Sequence, residues 1–238
     1  MKLDILAFGA HPDDVELGAA ATIAKEISLG KKVGIIDLTQ GELGTRGSKE
    51  LRKVEASKAA KVLGVSLREN LKFADGFFVN DKEHQIEVVK LIRKYKPEIV
   101  LCNAVDDRHI DHGKGSKLVS DACFLSGLQK IETTFDGEIQ KKWRPKLVYH
   151  YLQWKNTSPD FVVDVSGFMD IKMDAVLAYS SQFYDSNSKE EETPISSKNF
   201  TESIQYRAKE LGRLIGVEHA EGFTVERLIA ITSLDKLI

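Results

Sequence analysis

Apolar and polar positions alternate along the first two-thirds of the chain in a regular rhythm. Three short apolar runs, Leu3–Gly9, Lys32–Leu38 and Ile99–Cys102, read as buried strands. Between them the apolar period lengthens to that of a helix. From Val15 to Leu29 one face carries Leu17, Ala20, Ala21, Ala24 and Ile27, and Gly30 supplies a stop. Ser48 is placed to cap a second helix, with Leu51 as the third residue after it, and the pattern Leu51, Val54, Ala59, Val62 carries that helix to Leu63. Leu71-Lys72-Phe73 is a short strand before an Asp75-Gly76 turn. Asp81 to Tyr95 is helical through Ile86, Val89 and Ile92, and ends at Lys96-Pro97 because proline disfavours a helical residue before it. A polar loop, Asn103–Asp111, leads into a helix from about His112 to Leu125.

Strands alternating with helices predict an α/β fold, a mostly parallel sheet with helices on both faces and right-handed crossovers. The last third is less regular. Lys146–Trp154 and Phe161–Val165 read as strands, and Gly167–Ser181 and Phe200–Ile215 as helices. Between the helices, Ser186–Ser197 is rich in Ser, Glu and Asn and reads as a mobile surface loop at the mouth of a site. No linker divides the chain, so 1–238 is expected to form a single domain.

Bulk properties narrow the functional classes. The net charge of −2 gives no electrostatic reason to expect nucleic acid or an anionic membrane as partner. No apolar run approaches the ~20 residues that cross a bilayer. The N-terminus lacks the basic and long apolar regions of a secretory signal. Cys102 and Cys123 are not in a Cys-x-x-Cys arrangement and read as reduced, buried thiols, so a cytoplasmic protein is expected.

Candidate chemistry concentrates where strands end and helices begin, the place where open α/β sheets bind ligands. The turn after the first strand is Ala10-His11-Pro12-Asp13-Asp14-Val15-Glu16, and the loop after the strand ending at Cys102 contains Arg108-His109-Ile110-Asp111-His112. A hydrolytic zinc ion takes three protein ligands and keeps one position open for water. His11, Asp14 and His112 can supply the three, leaving Asp13 to accept a proton from the water and His109 to stabilise an oxyanion or protonate the leaving amine. Asp111 is a candidate to orient the His109 ring, or to contact an arginine. Arg46, in the glycine-rich stretch Gly41–Gly47, together with Arg52 and Arg108, is a candidate for carboxylate or other polar substrate groups. Taken singly, each residue has a plainer reading. Asp13 or Asp14 caps a helix well, His109 and His112 suit an exposed loop, and any one arginine suits a solvated surface. The glycine-rich stretch is not a Gly-x-Gly-x-x-Gly fingerprint, which argues against a dinucleotide.

At these residues the chain resembles the LmbE-like, or PIG-L, family of zinc-dependent N-deacetylases. The first motif of that family is matched by Ala10–Glu16 and the second, His-x-Asp-His, by His109–His112. Gly41-Glu42-Leu43-Gly44-Thr45-Arg46-Gly47, followed by Arg52 and Glu55, is similar to the branch that serves bacillithiol biosynthesis, often called BshB1. The resemblance implies a Rossmann-like fold and hydrolysis of the acetamide of an N-acetylglucosamine unit. In this branch the substrate is N-acetylglucosaminyl malate. It also implies one zinc ion per chain on His11, Asp14 and His112, Asp13 as general base, His109 as stabiliser of the tetrahedral intermediate with Asp111 beside it, and Arg52 as an active-site arginine. A homo-oligomer, trimer or hexamer, is implied as well. A two-His, one-carboxylate set also suits Fe²⁺. His219 stands where many relatives carry an aromatic residue, and is expected to be buried or at an interface.

Three other readings stand beside this one. The first is a deacetylase of other N-acetyl sugars or chitooligomers. The second is a thiol-conjugate amidase using the same motifs. The third is a non-enzymatic nucleotide- or sugar-binding module.

Overall fold

A computed structural model of the chain describes residues 1–233. The rest of the expected domain, 234–238, lies outside the described residues. In chain order the elements are β1 (Ile5–Gly9), α1 (Asp14–Ser28), β2 (Val33–Thr39), α2 (Lys49–Leu63), β3 (Leu67–Phe73), α3 (Lys82–Tyr95), β4 (Ile99–Cys102), α4 (Ile110–Ser126), β5 (Thr134–Phe135), β6 (Glu138–Ile139), β7 (Leu147–Tyr151), β8 (Phe161–Asp164), α5 (Met169–Leu177), α6 (Lys198–Ile215) and β9 (Ala220–Val225). Seven strands form one sheet in the order β3-β2-β1-β4-β7-β9-β8, and β5 and β6 form a separate small hairpin.

The sheet is parallel from β3 to β7 and turns antiparallel at β9, which pairs with both β7 and β8. Successive side chains of a strand face opposite sides, and each inner strand uses both. Leu6 and Phe8 of β1, with Ile36 and Leu38 of β2, pack in the cluster that contains Val88, Val89 and Ile92 of α3 and Leu118 and Val119 of α4. Ile5 and Ala7, with Val33 and Ile35, pack in the cluster that contains α1, α2 and α5. This two-sided burial explains why β1 and β2 read as continuous apolar runs.

Helix ends follow local chemistry. The Ser48 hydroxyl accepts from Leu51 N at 3.2 Å, and Asp81 Oδ1 accepts from His84 N at 3.0 Å. Gly30 and Gly64 follow α1 and α2 with positive φ. Two expectations needed correction. The strand anticipated at Leu71–Phe73 begins at Leu67, because Gly34, Ile35, Ile36 and Asp37 pair with residues 67–70 even though the inserted Arg68, Glu69 and Asn70 break the apolar pattern. The polar-looking Ala220–Val225 is also a strand, buried over its first four residues. Its apolar positions are Ala220, Phe223 and Val225, too few for a pattern to emerge. Among the described residues no helix is long and apolar enough to cross a membrane. Cys102 and Cys123 are free and buried.

Strand order reverses on either side of β1, since β2 and β3 lie to one side and β4 to the other. Such a switch point opens a crevice beyond the carboxyl ends of the strands. The residues following β1, β2, β3, β4 and β7 meet there.

Candidate active site

A cavity of about 550 Å³ sits at that switch point. Its floor is formed by His11, Asp13 and Asp14 after β1, Asp75 after β3, Asp107, Arg108, His109 and His112 after β4, and Gln153 after β7. Arg46 and Arg52 border it from the β2 side. The opposite wall is Thr193-Pro194-Ile195 with Phe200, Ile204 and Leu211.

The turn between β1 and α1 decides what the two aspartates do. Asp13 occupies the N-cap position of α1 but makes no side-chain cap, and its φ is 115°, in the left-handed region. A non-glycine residue there costs of order 1–3 kcal/mol, and such strain clusters at functional sites. Its carboxylate instead accepts from Arg52 at 2.8 Å. Arg52 also donates to the Pro12 carbonyl. Gly41, at φ 64°, makes room for this guanidinium, since a Cβ there would collide with it. Burial pushes the Asp13 carboxyl up, Arg52 opposes that, Asp14 adds to it, and the result is about 7.

Asp14 lies within a lattice of fixed donors. Oδ2 accepts from His11 N at 2.9 Å and from Asn103 Nδ2 at 3.0 Å. Oδ1 accepts from Gln153 Nε2 at 3.0 Å. Both amide orientations are set from behind. Asn103 Oδ1 accepts from Ala10 N at 2.9 Å, and Gln153 Oε1 accepts from Asn103 Nδ2 at 3.0 Å and Ala104 N at 3.1 Å. Asp14 is held well below the usual carboxylate range: burial raises it, and His112 and His11 more than offset that.

Two imidazoles converge on this carboxylate. Asp14 Oδ1 is 3.0 Å from His112 Nε2, and Asp14 Oδ2 is 3.5 Å from His11 Nδ1. The outward nitrogens of both rings face carboxylates. His11 Nε2 is 3.0 Å from Asp75 and 3.4 Å from Asp111, and His112 Nδ1 is 2.5 Å from Asp107. Burial disfavours their charged forms, yet Asp111, Asp14 and Asp75 hold His11 well above its ordinary value, and Asp14 and Asp107 hold His112 at about 9. A carboxylate behind each ring is the arrangement that fixes tautomer and direction in metal-binding histidines.

His109 differs. Ligand atoms of His11, His109 and His112 lie within 4.8 Å of one another, so proximity alone would admit a three-histidine site. His109, however, is the N-cap of α4, and its Nδ1 accepts from Asp111 N at 3.2 Å. A neutral ring whose Nδ1 accepts must carry its proton on Nε2. That nitrogen then has no lone pair for a metal and is a hydrogen-bond donor. Burial, with His11 and His112 beside it, holds His109 below its ordinary value and keeps the ring neutral. The ligand atoms of a second group, His11, Asp75 and Asp111, also lie within 4.8 Å of one another. Its carboxylate oxygens are already engaged by Leu43 N, Gly76 N and Lys114.

The Asp111 expectation is corrected by this geometry. Its side chain reaches His11 and Lys114, the latter at 2.6 Å, rather than His109 or an arginine. In the first turn of α4, it points back toward β3 and the first motif. Arg108 is exposed and lies over the Trp154 ring at 4.5 Å. Arg46 is buried and bonded to Glu190 and Ser188 of the irregular segment between α5 and α6. His219 is buried just before β9 and does not line the cavity, although Ala220 and Glu221 beside it do.

Sequence reasoning missed Asp75, Asn103, Asp107 and Gln153. Three carried a signal. Asn103 is the first residue after β4, Gln153 lies two beyond β7, and Asp75 lies two beyond β3. A polar residue just past the carboxyl end of each parallel strand is the pattern to look for. Asp107 carried none, because its distance from His112 is set by the fold of the loop.

Residues 6–123 match the PIG-L family, described as GlcNAc-PI de-N-acetylase. Diacetylchitobiose deacetylase of Thermococcus kodakarensis is 30% identical over 189 residues, which cover 75% of this chain and 70% of that protein. The chain belongs to the PIG-L, or LmbE-like, deacetylase family. Mycothiol S-conjugate amidase of Streptomyces coelicolor is 27% identical over 182 residues, covering 63% of this chain and 60% of that protein. A conserved protein of Thermus thermophilus superposes with a TM-score of 0.87 at 31% identity, covering 98% of each chain. PIG-L membership makes the chain an amidohydrolase and displaces the alternative of a non-enzymatic binding module. The cluster of imidazoles and carboxylates is consistent with the metal dependence of PIG-L deacetylases.

Proposed function

We propose that the chain is a zinc-dependent hydrolase that removes the acetyl group from an N-acetylglucosamine unit, with N-acetylglucosaminyl malate of bacillithiol biosynthesis as its substrate. One observation carries this reading. A single ionised carboxylate, Asp14, lies against the inner nitrogens of two histidines whose outer nitrogens are held by carboxylates. That donor set fits a divalent ion, and His11 Nδ1, Asp14 and His112 Nε2 would hold it. A bound zinc or iron(II) ion supplies a water of lowered pKa and polarises the amide carbonyl.

The remaining steps belong to the chain. Asp13 accepts the proton of the attacking water; its carboxyl, near neutrality, can both take a proton and return one. Arg52 holds that carboxylate toward the cavity instead of the helix end. His109 donates its Nε2–H to the amide oxygen as negative charge develops there. Asp13 then returns the proton to nitrogen as the C–N bond breaks, giving acetate and a free amine. Arg108, exposed at the rim, is placed to meet a malyl carboxylate.

Acetate release by zinc-loaded protein, with a chelated control, tests this on three substrates. Chelator-sensitive release is expected to be fastest from N-acetylglucosaminyl malate. Faster release from diacetylchitobiose, or from a mycothiol S-conjugate, moves the assignment to that class. Release from none of them overturns the reading.

A further inference from the structure

Arg46 combines a fixed main chain with a side-chain partner at the surface. Its carbonyl accepts from Gln182 Nε2 at 2.8 Å. The neighbouring Ser181 donates through its backbone N and its hydroxyl to Glu55 of α2, both at 2.8 Å. Gly47, at φ 73°, leaves no space for a side chain, since a Cβ would lie 2.7 Å from Ser181 Oγ. The loop is therefore seated on the α2–α5 frame. The guanidinium is only 4% exposed, yet it borders the cavity.

Its acidic partner is not part of that frame. Arg46 Nε donates to a single oxygen of Glu190 at 3.1 Å, while NH2 donates to the Ser188 hydroxyl. Glu190 is 49% exposed and is followed by Glu191 and Glu192. A half-hydrated carboxylate in a one-point contact gains little from the pair. A guanidinium fork holds a carboxylate better through two parallel bonds. Thr193, Pro194 and Ile195 of the same segment border the cavity.

The other buried cations of the cavity are committed differently. Arg52 is paired with Asp13, Lys172 with Glu221 at 2.6 Å, and Arg207 donates to the carbonyls of Gln153 and Trp154. Arg46 is the buried cation whose neutralising carboxylate comes from the surface.

We propose that Arg46 is a carboxylate-binding subsite, that Glu190 occupies it in the absence of substrate, and that an acid-bearing substituent on the amino sugar exchanges with Glu190 there. The exchange selects acidic substrates over neutral ones. This rests on the deacetylase reading above and names the feature of the substrate that the site would sense.

The test uses zinc-loaded full-length protein and two ligands, a glucosamine glycoside bearing a free carboxylate and its methyl ester. Binding is measured by calorimetry, and acetate release is measured from the two N-acetyl counterparts. The wild type is expected to favour the acid by about 10-fold or more, the scale of one charge-assisted pair. Arg46→Gln is expected to bring the acid-to-ester ratio close to one. Glu190→Gln, at an exposed position, is expected to tighten the acid several-fold and leave the ester unchanged. Equal affinities in the wild type, a preference that persists in Arg46→Gln, or a Glu190→Gln change shared by both ligands overturns the subsite. If neither N-acetyl compound releases acetate, the deacetylase reading fails instead, so the two failures are distinguishable.

Discussion

The parallel half of the sheet and the antiparallel end divide the work between them. From β1 to α4 the chain supplies His11, Asp13, Asp14, Arg52, His109 and His112, and the family match covers the same stretch, residues 6–123. From β7 onward it supplies Gln153 and a wall made of Trp154, the segment before α6, and α6 itself. The first half is rigid for a physical reason. Strands buried on both faces hold the turns that follow them, and the buried Asp14 carboxylate there is satisfied by the His11 backbone N–H and the Asn103 and Gln153 amides, which cannot be lost without leaving a buried charge unpaired. In the second half the wall is built from aromatic stacking. Trp154 and Phe200 stack at 5.4 Å, and Phe200 and Phe183 at 6.2 Å, with the Arg108 guanidinium 4.5 Å from the Trp154 ring. The groups proposed for bond cleavage thus come from the parallel half, which also contributes Arg46 and Arg108, while the other half supplies most of the apolar wall against which a substrate would lie.

The sharpest test of the first half is Asp13→Asn. The substitution keeps the shape and removes the base, so turnover is expected to fall by ~10²–10⁴ with metal content unchanged. Near-normal turnover would remove Asp13 from that role. Asp107→Asn weakens the hold on the outer nitrogen of His112 and is expected to lower metal affinity by ~10–100-fold. Competition against a chromogenic chelator reads this directly, and an unchanged affinity would reduce Asp107 to a loop contact.

How much of this was legible in the sequence follows the same division. The apolar runs of β1, β2 and β4 were readable because both faces are buried, and the caps at Ser48 and Asp81 because capping is local chemistry. His11, Asp13, Asp14, His109 and His112 lie beside recognisable strand ends. What the sequence hid was relational. Asp111 sits two residues from His109 but points to His11, because an early helical position faces whatever the fold packs beside it. Asp75 reaches His11 across 64 positions. Strand β9 was hidden because the polar residues Glu221 and Thr224 interrupt it. The first of these is buried, with Lys172 and the Ala21 and Thr22 amides as partners.

For the second half, Phe200→Ala removes two aromatic pairs worth about 0.5–1.5 kcal/mol each. It is expected to raise KM by about the tenfold scale of that energy while leaving metal content and kcat close to wild type. A loss of kcat with KM unchanged would break the division proposed here.

The smallest effect expected concerns the seam between the halves. His150 of β7 is buried, with Nδ1 3.0 Å from the Asn103 carbonyl and Nε2 3.0 Å from Glu226. Burial opposes its charge, but Cys102, Glu226 and the Asn103 carbonyl outweigh that and hold it at about 10. A raised folded-state value stabilises the fold fully below the unfolded value of about 6.5, and the contribution is lost as pH rises through about 10. The difference in Tm between wild type and Glu226→Gln should therefore be largest near pH 6 and shrink toward pH 10. A gap independent of pH would show that the ring is not charged.

Everything proposed for the parallel half turns on one distinction: His109 is a donor, and His11, Asp14 and His112 are the ligands, although three imidazoles lie within reach of one another. Metal content and acetate release, measured on the same samples of His109→Ala and His11→Ala, separate the two roles. One metal ion per chain is expected in His109→Ala with turnover down by ~10²–10³, and no stoichiometric metal in His11→Ala. Loss of metal from His109→Ala to the same extent as from His11→Ala would contradict the distinction.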